Sequence, residues 1–132
     1  MKLDLDAGGV HRNSVAGYGP GYIEVGGHVY STGLLICHDA VVAPWGPDSA
    51  GGLAQSHLLR VLEHEPEIVL LGTGDRLVFP APELMSMLAT RGVGFEVMDT
   101  GAACRSFNFL LGEGRRVVAA LLQMSRNMTI AR

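Results

Sequence analysis

The spacing of apolar and polar positions changes along this chain, and the change divides it. Between Gly21 and Trp45 the apolar residues fall in short runs. Gly21-Tyr-Ile-Glu-Val25 and His28-Val-Tyr-Ser31 flank Gly26-Gly27, a hairpin signal. Gly33-Leu-Leu-Ile-Cys37 and Ala40-Val-Val-Ala-Pro-Trp45 follow as strand candidates, the second stopped by Pro44 and Pro47. The first 20 residues carry little periodic signal and read as an irregular arm or a short edge strand.

After Asp48 the period becomes helical. Leu53, Leu58, Val61 and Leu62 form one stripe, with Gln55, His57, Arg60, Glu63 and His64 opposite; this predicts a helix over about 50–64, ended by Pro66. Glu67-Ile-Val-Leu-Leu71 reads as a short buried strand bounded by Gly72-Thr73-Gly74, and Arg76-Leu-Val-Phe79 as a brief extended piece. Pro82 suits the first position of a second helix, whose inward stripe is Leu84, Met85, Met87 and Leu88 and which ends near Gly92. Gly94-Phe-Glu-Val-Met98 is the next strand. Thr100 is placed to cap a third helix, with Phe107, Leu110 and Leu111 inward and Gly112 or Gly114 at its end. Arg115–Leu122 closes the pattern as a long buried strand, before a tail (123–132) expected to be loose.

Strands alternating with helices predict an α/β fold: one domain over 1–132, with a mixed β-sheet packed by about three helices and an N-terminal β-hairpin region. The connection Thr100–Gly112 is long enough to bring the last strand back in either direction, so that direction stays open. Composition agrees with this architecture. At 132 residues, 48% hydrophobic and 17% charged, the chain is rich enough in apolar residues for a sheet buried on both faces.

Charge removes one class of function. The net charge is −3 and the ten Lys and Arg residues are scattered, so no basic face for a nucleic acid is present. No apolar stretch approaches the roughly 18 residues of a membrane span. The start, Met-Lys-Leu-Asp-Leu-Asp, has acidic residues where a signal peptide needs an apolar core, and a cytoplasmic location is expected. Two widely separated cysteines suggest reduced thiols rather than a disulfide scaffold or a metal site.

Two glycine-marked corners carry the candidate chemistry. Gly72-Thr73-Gly74 follows a buried strand, but a dinucleotide-binding turn needs a third glycine where this chain has Leu77. What remains is a tight turn with main-chain N–H groups near a strand end. Asp99-Thr100-Gly101-Ala102 is the second corner. There a helix N-terminus offers N–H groups and partial positive charge, and Arg105 adds a cation. Together Thr73, Gly74, Thr100, Gly101 and Arg105 would line an anion-binding cleft, unless Thr100 is only a cap and Arg105 only solvated. Cys104, in the first turn beside Arg105, is placed where a thiolate is favoured. No histidine is tied to this corner as a base, since His11, His28, His38, His57 and His64 all lie in the first half of the chain, and a packed structural cysteine is the plainer reading. Asn108, four residues after Cys104, would back up the same corner by hydrogen bonding, unless it is an ordinary exposed polar residue. Cys37-His38-Asp39 alternates its side chains along a strand and reads as a turn rather than a metal set. His57 and His64 read as solvated. No cofactor motif is found.

The run "VLLGTGDRLVFPAPELMSMLATRGVGFEVMDTGAACRSFNFLLGEGRRVVAALL" (69–122) resembles the core of the domain of unknown function 498 family, and "GYGPGYIEVGGHVYSTGLLI" (17–36) and Trp45 also fit. The most specific points are Gly72-Thr73-Gly74, Pro80, Asp99-Thr100, Ala102-Ala103-Cys104-Arg105, Asn108 and Arg115-Arg116. The resemblance implies a single α/β domain with a mixed sheet and an extra hairpin, and no established enzymatic activity. The family includes a mitochondrial assembly factor of respiratory complex I, so it implies a non-catalytic protein-interaction or assembly-factor-like domain whose partners are other proteins, assembly or membrane-complex components. Carried over by matching residue, Gly72, Thr73, Gly74, Thr100, Cys104, Arg105 and Asn108 are the family-like cleft positions. The alternative is a small-anion binder or an unrecognised enzyme built on Thr100, Cys104 and Arg105. The oligomeric state is open.

Overall fold

The computed structural model of the chain describes residues 13–126. Strands β1 (Val15–Gly19), β2 (Tyr22–Val25) and β3 (His28–Tyr30) form a small antiparallel sheet in that order. The Gly26-Gly27 turn joins β2 to β3 with φ of 59° and 83°, the left-handed pair that matches strand twist in a two-residue hairpin. Next come β4 (Leu34–Cys37), β5 (Ala40–Val42), a single 3₁₀ turn (Ala50–Gly52), α1 (Gln55–Leu62), β6 (Ile68–Gly72), α2 (Pro82–Thr90), β7 (Gly94–Met98), α3 (Thr100–Gly112) and β8 (Val117–Leu121).

The main sheet is mixed, with five strands in the order β5-β4-β8-β6-β7. β6 is parallel to both β7 and β8, whereas β4 is antiparallel to β8 and to β5. The open question of the last strand is thereby answered: α3 leaves β7 at the sheet's edge and returns the chain parallel, past β6, to the centre. β8 is buried at all five positions, as its unbroken apolar run requires.

Alternation along the strands sends side chains to two cores. On one face Leu34, Ile36, Leu70, Ala119 and Leu121 meet Ala103, Phe107 and Leu111 of α3, together with Val15, Ile23 and Val25 of the small sheet. On the other, Leu35, Val69, Leu71, Val118 and Ala120 meet Leu58 and Val61 of α1, Leu88 of α2 and Trp45. Phe107 and Trp45 are among the largest fully buried side chains.

Two expectations, the start of α1 and the loose tail, change in detail, and two others become specific. α1 begins at Gln55 rather than near 50, because Gly51-Gly52 gives only a 3₁₀ turn and Ala54 is extended. Arg76–Phe79 joins no strand. Within the segment read as an arm or short edge strand, Val15–Gly19 is an edge strand; residues 1–12 lie outside the described ones. The start of the tail is docked: Gln123 Nε2 donates to Tyr30 O (3.0 Å) and Thr32 O (2.8 Å), and Gly21 N donates to Met124 O (2.9 Å). Residues 127–132 lie outside the described ones.

Candidate functional site

The two glycine-marked corners do meet. Asp99, not Thr100, caps α3: its carboxylate accepts from Ala102 N at 2.8 Å. Thr100 is one residue inside the helix and wholly buried. Its Oγ1 donates to Leu122 O (2.6 Å) and accepts from Gly74 N (2.8 Å), while its own N–H donates to Gly74 O (3.0 Å). Thr73 N donates to Met98 O at 2.9 Å. The approach is close enough that a Cβ on Gly72 would sit 3.0 Å from both Thr100 Cα and Oγ1, so any larger residue would push the two segments apart by a few tenths of an ångström. Gly101 lies buried in the first turn against the Tyr18 ring.

The expected cleft is therefore closed on itself. The amides of Thr73 and Gly74 donate to oxygens of the facing segment, and the carboxylate at the helix N-terminus is the chain's own Asp99. Thr100 works as a buried latch among three strand ends because its hydroxyl can donate and accept at once.

The remaining cleft residues point elsewhere. Cys104 is buried in the α3 core, and burial pushes its thiol up to about 12, against the smaller lowering by Arg105; Asp99 adds a further rise. Such a thiol stays protonated and inert at neutral pH. Arg105 is exposed and its Nη1 donates to the Tyr18 hydroxyl of β1. Asn108 does not support the corner. It holds β1, accepting from Val15 N (2.7 Å) and donating to Val15 O (2.9 Å). Arg105 and Asn108 thus fasten the small sheet to α3.

The histidines also differ from expectation. His57 is engaged rather than solvated: its Nδ1 accepts from Ala54 N (2.9 Å), and its carbonyl accepts from Trp45 Nε1 (3.0 Å). His64 is half-buried, 3.9 Å from Cys37 Sγ, which also approaches Asp39 Oδ1 at 3.3 Å. Burial first, then Asp39, raises the Cys37 thiol. Among the described residues no group of three His, Cys, Asp or Glu side chains could hold a metal ion.

Two exposed features were not singled out by sequence. Thr73 Oγ1 accepts from Val78 N (3.0 Å) and donates to Arg76 O (2.6 Å), clamping the loop after β6. Asp75 Oδ1 accepts from Ser125 N (2.8 Å) and anchors it further. The clamp turns three successive apolar side chains outward: Leu77, Val78 and Phe79 are 48%, 40% and 65% exposed. The second feature is a groove of about 460 Å³ between α3 and the β6–β7 edge, beside Phe109, which is itself 67% exposed. The apolar triplet before Pro80 was the available signal for the first. The groove left none, because it depends on which strand ends the sheet.

Comparison with known proteins places this arrangement. The family model described as "Protein of unknown function (DUF498/DUF598)" matches residues 15–122. An uncharacterized Rhodobacter capsulatus protein is 39% identical over 110 residues, covering 83% of this chain and 84% of that one. The bovine NADH dehydrogenase [ubiquinone] 1 alpha subcomplex assembly factor 3 is 36% identical over 104 residues, covering 77% of this chain. The match spans only 55% of the bovine protein's length. Among solved structures, a Bordetella pertussis protein described as an Mth938-like domain superposes with a TM-score of 0.81 at 32% identity, over 100% of this chain and 98% of that one. No helix among the described residues is long and apolar enough to cross a membrane.

Proposed function

Because the chain belongs to the DUF498/DUF598 family of proteins of unknown function, we propose that it is a non-catalytic protein-interaction domain of the assembly-factor kind, which docks a partner through the clamped Leu77–Phe79 loop. The observation that carries this reading is the loop itself. Three consecutive large apolar side chains stand in water, on a backbone that Thr73 and Asp75 hold fixed. Exposed apolar side chains that are ordered in advance favour association, because the ordering cost is met during folding rather than on binding. The bovine relative's name supplies candidate partners, the subunits of a respiratory NADH dehydrogenase under assembly.

The alternative, an anion site or enzyme at Thr100, Cys104 and Arg105, has less support. Its amides and hydroxyl have internal partners, and its thiol is driven away from the thiolate form.

The test is affinity capture of the native chain from cells that express it, compared with Phe79→Asp and Leu77→Asp variants, with co-purified respiratory-complex subunits quantified. The reading expects those subunits with the native chain and at least a tenfold loss in the variants, on the scale of a truncated interface anchor. Capture of the same set by all three chains would overturn the loop's role. A native chain that captures no respiratory subunit would overturn the assembly reading.

A further inference from the structure

β7 ends the sheet on one side, and the main-chain atoms on its outer edge can be assigned. Gly94 N donates inward to Glu67 O (3.1 Å), and Met98 O accepts inward from Thr73 N (2.9 Å). In a strand, the N–H and C=O of one residue point the same way and those of the next point the opposite way. Residues 94, 96 and 98 therefore turn their main chain toward β6, and Phe95 and Val97 turn theirs toward the open edge. Among the described residues β7 pairs with β6 alone.

The side chains along this edge complete a receptor. On the α3 side, Ile68 and Met98 floor the groove, and Leu110 with the exposed Phe109 walls it. Glu96 and Arg105 carry its charge. Arg105 donates to Tyr18, and among the described residues no ion pair is found for Glu96, which lies exposed at the centre of the edge strand.

Glu96 selects the occupant. A strand laid against β7 would take water from this carboxylate, a loss that a cation opposite it offsets. A second copy of this chain does the reverse. The antiparallel register that uses both Phe95 and Val97 sets the two Glu96 side chains face to face, a charge arrangement that discourages edge-to-edge pairing.

Resting on the protein-interaction reading above, we propose that β7 and its groove receive an extended segment of a partner protein as a sixth strand, with a Lys or Arg opposite Glu96 and an apolar side chain against Met98 and Phe109. Main-chain bonds to Phe95 and Val97 hold the segment, and the alternate side chains select it.

The probe is a short alternating Thr/Val peptide with one central Lys, compared with the same peptide carrying Glu instead, titrated into ¹⁵N-labelled protein. The site expects amide shifts at Phe95, Val97 and Phe109, and binding about fivefold tighter for the Lys peptide, the scale of a cross-strand charge pair. Glu96→Lys should reverse that preference, which a merely structural Glu96 would not do. Overturning results are equal binding of the two peptides, shifts confined to the Leu77–Phe79 loop, or concentration-dependent β7 shifts without peptide, which would assign the edge to a second copy. Partner capture that persists without any β7 response would remove the strand site and leave the interaction reading standing. A β7 response in a chain that captures no partner would do the opposite.

Discussion

The corner at Thr100 and the margin formed by β7 and the Leu77–Phe79 loop are opposites. The corner holds residues that look chemical: a threonine, a cysteine beside an arginine, an asparagine, and glycines around a helix start. Its threonine hydroxyl, capping carboxylate and asparagine all have internal partners, and its thiol is buried. The margin holds residues that look ordinary, Leu77, Val78, Phe79 and Phe109, and these stand in solvent. Unusual residue types at the corner follow from its demanding geometry. Common residue types at the margin are informative because of where they lie.

The sharpest way to break this contrast is alkaline titration. Cys104 has its folded pKa raised from 9.0 to about 12. Below pH 9 both folded and unfolded chains keep the proton and the full stability is present; above it the unfolded chain ionises first, so stability falls as pH rises toward 12. The loss expected from this group is about 1.4 kcal/mol by pH 10 and approaches 4 kcal/mol near pH 12. Denaturant melts of the native chain and of Cys104→Ala should diverge across that window. A Cys104 thiol that labels rapidly in the native state at neutral pH would contradict the burial.

Next in size is Thr100→Val, which keeps the shape and removes the hydroxyl. It leaves Leu122 O and Gly74 N without a partner in a buried site and should cost about 3 kcal/mol in urea melts. Thr100→Ser should recover most of that. If Thr100 were only an exposed cap, the valine variant would lose about 1 kcal/mol. Asn108→Ala should cost about 2 kcal/mol by unpinning β1, with amide signals of the small sheet broadening before those of the main sheet. At the margin, Phe79→Asp and Phe109→Ser should each change stability by no more than about 0.5 kcal/mol while weakening partner capture. A large stability loss from either would mean that the margin belongs to the core after all.

Much of the fold was legible in sequence because it rests on local period. The Gly26-Gly27 hairpin, the helix opened by Pro82 and the continuous apolar run of β8 each announce themselves within a few residues. The roles of the site residues were less legible because they depend on distant partners. Asp99 and Thr100 are both capping types, and it is Leu122 O and Gly74 N, 22 and 26 positions away, that turn Thr100 inward. Arg105 and Asn108 meet Tyr18 and Val15, 87 and 93 positions away. The Arg76–Phe79 piece reads as extended, but its exposure was not legible, because it depends on the Thr73 hydroxyl, which takes up two of its backbone groups and leaves its side chains outside.

The Thr100 hydroxyl has one more consequence, for motion. It joins the end of β8 to the turn after β6, and Leu122 N returns a bond of 2.9 Å to Gly72 O. That corner therefore has no cheap way to fray. Deuterium should reach the Gly74 amide only when the whole molecule opens, so its exchange rate would track global unfolding even though it sits in a loop.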